Sequence, residues 1–101
     1  MSLAIDIDRE RIAEFCRRRH ILRLALFGSV LRADFRPDSD VDVLVEFEAG
    51  HVPGLIRLGE MAEELSGILG SDQVDLRTPQ DLSELFRDEV LANAQTLYER
   101  P

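Results

Sequence analysis

The chain has 101 residues, the length of a single domain, so we expect one domain over residues 1–101. Apolar residues make up 45% and charged residues 32% of the sequence, which is typical of a folded globular protein rather than a disordered acidic tail. Twelve basic and twenty acidic residues give a net charge of −8, which opposes direct binding to nucleic acid or to an anionic membrane surface. Every basic residue is an arginine, which excludes chemistry that needs a P-loop lysine or a Schiff base.

The sequence predicts a cytoplasmic protein without a membrane anchor. Residues 22–31 contain only a short apolar run, well below the ~20 residues of a membrane span, and the N-terminus lacks the pattern of a signal peptide. The single cysteine, Cys16, has no partner for a disulfide or a Cys-x-x-Cys motif and is predicted to be a buried helix residue. His20 and His51 have no metal-ligand partners at useful sequence spacing and are predicted to be helix-end and loop residues.

The first half of the chain is predicted to form one helix and two strands. Apolar residues recur at helical spacing over residues 8–19, which indicates an amphipathic helix. The apolar run over residues 22–27, followed by Gly28-Ser29, predicts a buried strand that ends in a sharp turn. Residues 41–47 alternate, which predicts a second strand with valines on one face and acidic residues on the other.

The second half is predicted to form two helices around a short strand. An apolar stripe predicts a helix over residues 55–69 that packs on the sheet and stops at Gly70. Residues 74–77 alternate and predict a third strand. Thr78-Pro79 then predicts the start of a helix that reaches Tyr98, either continuous or broken near Arg87. The expected fold class is α+β (α/β), with a small mixed β-sheet and flanking helices.

Two carboxylates on the second strand point to metal chemistry. Side chains alternate along a strand, so Asp40 and Asp42 project from the same side, on the order of 7 Å apart at their Cα atoms. Two like charges repel each other in a shared space unless a cation lies between them. Hard oxygen ligands favour Mg²⁺ or Mn²⁺ over zinc. We therefore predict that Asp40 and Asp42 are metal ligands.

Asp75 is the predicted third carboxylate of the site. It lies between Val74 and Leu76, which we expect to face the core, so its side chain belongs on the face of the sheet that carries the aspartate pair. If the two strands are neighbours, three carboxylates converge as a two-metal phosphoryl-transfer site requires. Asp75 is then also placed to accept a proton from an attacking hydroxyl. Arg77, on the same face, is either a phosphate contact or a surface charge.

Gly28, Ser29 and Arg32 are the predicted phosphate-binding residues. A glycine lets the backbone approach a ligand closely, and a helix that starts at Ser29 would direct free N–H groups at a phosphate. Arg32, one turn beyond Ser29, is placed to offset part of the negative charge.

A calcium-binding loop is the competing interpretation of the residues that begin at Asp38. The sixth position of such a loop needs glycine and holds Val43, and the twelfth needs glutamate and holds Ala49. These two mismatches exclude the calcium loop.

At these residues the sequence resembles the polymerase-beta type of nucleotidyltransferase, whose signature is Gly-Ser followed about ten residues later by Asp-x-Asp, with a third carboxylate on a later strand. Residues 26–45 and 74–99 resemble the minimal nucleotidyltransferases within that superfamily. The resemblance implies a palm-like fold, with Gly28 and Ser29 at the triphosphate, Asp40 and Asp42 as metal ligands and Asp75 as the third carboxylate. The family commonly has Ala-Arg-Gly where this chain has Leu31-Arg32-Ala33.

The resemblance also implies a biological role. Such proteins act as antitoxins of helical HEPN ribonucleases, and some transfer AMP from ATP to a tyrosine of the toxin. The implied activity is therefore Mg²⁺-dependent transfer of AMP to a protein hydroxyl, with ATP as donor and a HEPN toxin as partner. Two alternatives stay open: an antitoxin that neutralises its toxin by binding alone, and a nucleotidyltransferase that modifies a small molecule as a homodimer.

Overall fold

The structure, a computed structural model, describes residues 7–28, 40–71 and 73–100. The helices and strands within these ranges are α1 (Arg9–Arg18), β1 (Ile21–Phe27), β2 (Val41–Phe47), α2 (Leu55–Leu69), β3 (Val74–Arg77), α3 (Arg87–Asn93) and β4 (Gln95–Glu99). A short 3-10 turn, Pro79–Asp81, follows β3. Among the described residues, no helix combines the length and the apolar character that a membrane span requires.

The four strands form one mixed sheet in the order β3-β2-β1-β4. Strand β1 pairs antiparallel with both β2 and β4, whereas β2 pairs parallel with β3. The parallel pair is joined by α2, because two parallel strands need a long crossover connection. This is the small mixed sheet with flanking helices that the sequence predicts.

Helices α1 and α2 cover one face of the sheet and form the core with it. The side chain of Asp8 accepts a hydrogen bond from the backbone N–H of Arg11 at 3.2 Å, which caps the start of α1. Gly70, with φ at 70°, ends α2 in a left-handed conformation. The buried side chains that build this core come from both helices and from alternate strand positions: Ile12, Phe15, Cys16, Ile21, Leu24, Leu26, Val41, Val43, Val45, Met61, Leu65, Leu69, Leu76 and Leu97.

Cys16 is buried in this core, as predicted. Burial raises the pKa of its thiol to about 12, so the side chain remains a neutral apolar group at physiological pH.

The prediction of a helix that runs from Pro79 to Tyr98 is wrong. The segment contains a 3-10 turn, the short helix α3 and the strand β4. Within β4, Leu97 is 6% exposed and packs in the core, and Tyr98 pairs with Leu24 of β1. As a strand, the segment forms backbone hydrogen bonds with the edge of β1. This long-range pairing outweighs the local preference for a helix that the spacing of the apolar residues indicates.

Two apolar positions that the periodicity predicts to face the core lie in solvent. Leu55 at the start of α2 is 88% exposed, and Leu85 before α3 is 86% exposed. The apolar stripe of α2 becomes buried only further along, at Met61, Leu65 and Leu69.

Candidate active site

The fold places Asp42 beside Asp75. Asp42 is the second residue of β2, and its neighbours Val41 and Val43 are buried in the core, so its side chain lies on the opposite face of the sheet. Strand register pairs Asp42 with Phe27 of β1 on one side and with Asp75 of β3 on the other. The condition attached to the sequence prediction, that the strands of Asp42 and Asp75 are neighbours, is therefore met.

Asp42 lies in a field of negative charge. Its side chain is half-buried, and this burial raises the pKa of its carboxyl above the usual range. The charges of Asp75 and Asp40 raise the pKa of Asp42 further, and among the described residues the charge of Arg77 lowers it. Asp40 is exposed and lies directly before β2. The charges of Asp40 and Asp75 thus act on Asp42, and a nearby cation would favour the ionised form of its carboxyl.

Gly28 contacts the Asp42 carboxylate closely. It directly follows β1 and has φ at 73°, a left-handed conformation that favours glycine. A Cβ atom at Gly28 would lie 2.5 Å from Oδ2 of Asp42, so the carboxylate would have to move to make room for a side chain. The absence of a side chain at position 28 therefore makes room for the carboxylate.

Arg77 holds the side chain of Asp75. Its Nε and Nη2 atoms donate to Oδ2 of Asp75 at 3.1 and 2.9 Å. Both residues face the same side of β3, two positions apart, and both are about half exposed. The sequence analysis left Arg77 open between a phosphate contact and a surface charge, and in the structure it is the counter-ion of the third carboxylate.

The described residues thus bring together Asp40, Asp42, Asp75 and Gly28 among the predicted site residues. Ser29 and Arg32 lie outside the residues that the structure describes. The sequence analysis did not assign Arg77 as the ion-pair partner of Asp75. The signal was present, because residues two positions apart along a strand lie on the same face.

The arrangement fits a hard divalent cation. Three carboxylates supply oxygen ligands of the kind that Mg²⁺ and Mn²⁺ prefer, and the charges of Asp75 and Asp40 both act on the half-buried Asp42. A cation at this point would relieve the electrostatic penalty that raises the pKa of Asp42.

Comparison with known proteins identifies the family of this chain. A profile of the family described as "Polymerase beta, Nucleotidyltransferase" matches residues 10–101. The chain belongs to this family. Its mixed sheet and helices form the nucleotidyltransferase fold, and the family assignment makes the chain a nucleotidyltransferase by descent.

Individual relatives agree with this assignment. The protein adenylyltransferase MntA of Thermococcus cleftensis is 40% identical over 71 residues, which cover 70% of this chain and 69% of the relative. A solved toxin–antitoxin structure with AMP-PNP contains a chain with a TM-score of 0.70 and 25% identity, with coverage of 93% of this chain and 75% of that one. A tri-AMPylated Shewanella oneidensis HEPN toxin in complex with an MNT antitoxin gives a TM-score of 0.62 at 26% identity, covering 91% and 70%.

Proposed function

We propose that this chain is the antitoxin of a HEPN-family toxin and that it neutralises the toxin by transferring AMP from ATP to a tyrosine hydroxyl of it. In this proposal residues 1–101 form one catalytic domain that works in the cytoplasm, and the toxin supplies the acceptor surface. The observation that carries the proposal is the register of Asp42 with Asp75, beside Asp40 and against Gly28. The relatives named above support it, since they include an adenylyltransferase and an AMPylated toxin in complex with its antitoxin.

Asp40, Asp42 and Asp75 are the residues that would hold the metal. We assign Asp40 and Asp42 to two Mg²⁺ ions, with Mn²⁺ as a substitute, and Asp75 to one of them. Divalent ions bound there supply the positive charge that brings ATP to an acidic site and stabilises charge on the phosphate oxygens.

The other residues bind the nucleotide and orient it. Backbone N–H groups that follow Gly28 and the hydroxyl of Ser29 donate to the β- and γ-phosphates, and Arg32 adds a positive charge near them. This leaves the α-phosphate closest to the aspartates and directs the pyrophosphate group away from the acceptor.

The transfer itself exchanges one phosphorus–oxygen bond for another. The acceptor oxygen forms a bond to the α-phosphorus, the bond between the α-phosphorus and the pyrophosphate oxygen breaks, and pyrophosphate leaves with that electron pair. Asp75 accepts the proton of the hydroxyl as the new bond forms. Arg77 contacts Oδ2 of Asp75, so we assign proton acceptance to the other oxygen, Oδ1.

A label-transfer assay tests the proposal. A purified HEPN-family partner is incubated with Mg²⁺ and ATP labelled on the α- or on the γ-phosphate, together with wild type or Asp42→Asn. We expect label on the partner from the α-phosphate only, and about a hundredfold less transfer by Asp42→Asn, because this variant keeps the shape and removes a charged metal ligand. Asp88→Asn, at an exposed position in the first turn of α3, is the matched control and retains full transfer.

Other outcomes would decide between the alternatives. Equal transfer by wild type and Asp42→Asn would overturn the site assignment. Toxin neutralisation in a growth assay that survives the loss of both Asp40 and Asp42 would identify a binding-only antitoxin. Label on a small molecule without any partner would identify a small-molecule nucleotidyltransferase.

A further inference from the structure

A second group of potential metal ligands lies far from the aspartates. His20, which directly precedes β1, comes together with Glu48, which directly follows β2, and with His51 in the loop after it. One ligand atom from each of the three side chains lies within 4.8 Å of the other two. The sequence analysis found no partners for these histidines, because the antiparallel pairing of β1 and β2 creates the proximity.

The cluster is separate from the aspartate site. Ile21 pairs with Phe47 at one end of β1 and β2, and Phe27 pairs with Asp42 at the other end. At about 3.3 Å per residue, the length of β1 puts roughly 20 Å between the two ends. A metal bound at the histidines would therefore contact none of Asp40, Asp42 or Asp75.

The distances within the cluster suit a transition metal. Nδ1 of His20 lies 2.9 Å from Oε2 of Glu48. Two ligand atoms of a tetrahedral Zn²⁺ ion with bonds of about 2.1 Å are about 3.4 Å apart, so these two atoms would separate by about half an ångström to bind one ion. The rings of His20 and His51 stack with centroids 3.9 Å apart and planes 14° apart, so one ring must turn about its Cβ–Cγ bond before a nitrogen of each ring binds the same ion in its ring plane.

Backbone hydrogen bonds hold the three residues in this arrangement. The N–H of Glu48 donates to the carbonyl of His20 at 2.9 Å, and the N–H of His51 donates to the carbonyl of Glu48 at 3.0 Å. Arg100 donates from Nη1 to Oε1 of Glu48, which leaves Oε2 turned toward His20. Hydrogen bonds of this kind orient the ligands in known metal sites.

His20 also has an unusual backbone conformation. With φ at 57°, it is the one non-glycine residue in the described ranges that adopts a positive φ. Such a conformation is uncommon for residues with a side chain and destabilises them by roughly 1 kcal/mol. This turn between α1 and β1 gives the imidazole its position beside Glu48.

We propose that His20, Glu48 and His51 form a surface site for Zn²⁺, with two nitrogen ligands, one oxygen ligand and water in the fourth position. Imidazole nitrogen and carboxylate oxygen are ordinary zinc ligands. The His20 side chain is 50% exposed, so the ion has direct access from solvent. Binding would connect the α1–β1 turn to the end of β2 and its following loop.

Zn²⁺ titration of the full chain at pH 7.5, with excess Mg²⁺ present, tests this site. We expect one Zn²⁺ to bind per chain and to shift the ring signals of both histidines in an ¹H–¹⁵N NMR spectrum. The two shifted signals can be assigned to His20 and His51 directly, because the chain has no other histidine. Its single cysteine is buried with a raised pKa, so we expect no competing thiolate ligand. Co²⁺ in place of Zn²⁺ reports a tetrahedral environment through its visible absorption.

Variants separate this site from other acidic groups. We expect His51→Gln and Glu48→Gln to weaken Zn²⁺ binding about tenfold or more. His20→Asn has the same effect and preserves the positive φ, which asparagine tolerates. Glu60→Gln, at an exposed position of α2, and Asp42→Asn keep the wild-type affinity.

Three results would overturn the proposal: wild type that binds no Zn²⁺ below millimolar concentration, binding that leaves either histidine signal unchanged, or binding that is lost in Asp42→Asn. Circular dichroism and melting in EDTA are the controls that check whether each variant folds like wild type. The two histidine signals of wild type test the site without any variant.

Discussion

At the scale of single residues, the close approach of Gly28 to Asp42 can be tested by substitution. Replacing Gly28 with alanine places a methyl carbon 2.5 Å from Oδ2 of Asp42 and adds strain at a φ of 73°. We expect Gly28→Ala to lose about 1–2 kcal/mol of unfolding free energy through the backbone strain. It also displaces the carboxylate, so Mn²⁺ affinity measured by electron paramagnetic resonance falls about tenfold or more.

Gly70→Ala is the matched control. Gly70 has nearly the same φ, 70°, but a Cβ atom there meets nothing within 4 Å. We expect a similar loss of stability and no loss of Mn²⁺ affinity. Equal Mn²⁺ affinities in Gly28→Ala and wild type would contradict the placement of Asp42 as a metal ligand.

The charge of Asp42 predicts a specific dependence of stability on pH. Its pKa is raised in the folded protein from 3.8, so the protonated form stabilises the fold below that value, and this contribution is lost as pH rises through the folded-state pKa. Without metal, we therefore expect Asp42→Asn to be more stable than wild type at pH 7, by less than about 1 kcal/mol after allowance for solvent screening.

Thermal melts in EDTA at pH 3 and pH 7 measure this difference. We expect almost no stability difference at pH 3, where the Asp42 carboxyl of wild type is protonated and neutral like the asparagine amide. At pH 7 in saturating Mg²⁺ the order should reverse, with wild type the more stable, because a bound ion stabilises only wild type. A wild type that is more stable than Asp42→Asn at pH 7 in EDTA would show that the three carboxylates do not repel one another as the structure indicates.

At the scale of elements, β4 is the segment whose contribution is easiest to test. Leu97 is 6% exposed and packs in the core through the pairing of β4 with β1. We expect Leu97→Ala to lower the unfolding free energy by about 2–4 kcal/mol, measured by urea denaturation, because it leaves a cavity between the sheet and the helices. Leu55→Ala, at a position 88% exposed, should change it by less than about 0.5 kcal/mol. Similar losses for the two variants would argue against β4 as a core strand.

The same element shows where the sequence is informative and where it is not. Alternation along β2 and β3 predicts which face carries Asp42 and Asp75, because side-chain period is a local property of a strand. The β4 segment carries apolar residues at a spacing compatible with a helix. It forms a strand because its backbone pairs with the edge of β1, a long-range contact that the spacing does not reveal. Long-range pairing is also the reason that His20 and Glu48 could not be connected from sequence.

Within the candidate site, sequence reasoning proposed the three aspartates and Gly28 but could not predict the details of their contacts. The spacing of Asp40 and Asp42 indicates a shared face, whereas the register of Asp42 with Asp75 depends on the crossover through α2. The close contact of Gly28 with Asp42 depends likewise on the pairing of β1 with β2.

At the scale of the whole molecule, the net charge of −8 bears on the proposed role. Three of the acidic residues, Asp40, Asp42 and Asp75, lie at one end of the sheet, where metal would make an acidic surface compatible with a triphosphate. After β3, the described chain contributes a 3-10 turn, a short helix and an edge strand. In the proposed function the acceptor hydroxyl belongs to a partner protein.

The intact mass of a HEPN-family partner, measured after incubation with this chain, ATP and Mg²⁺, tests the proposed transfer most directly. We expect the partner to gain one or more whole AMP groups with wild type and to keep its original mass with Asp42→Asn. A partner that keeps its original mass with wild type, while its toxicity is still neutralised, would contradict enzymatic transfer and identify neutralisation by binding.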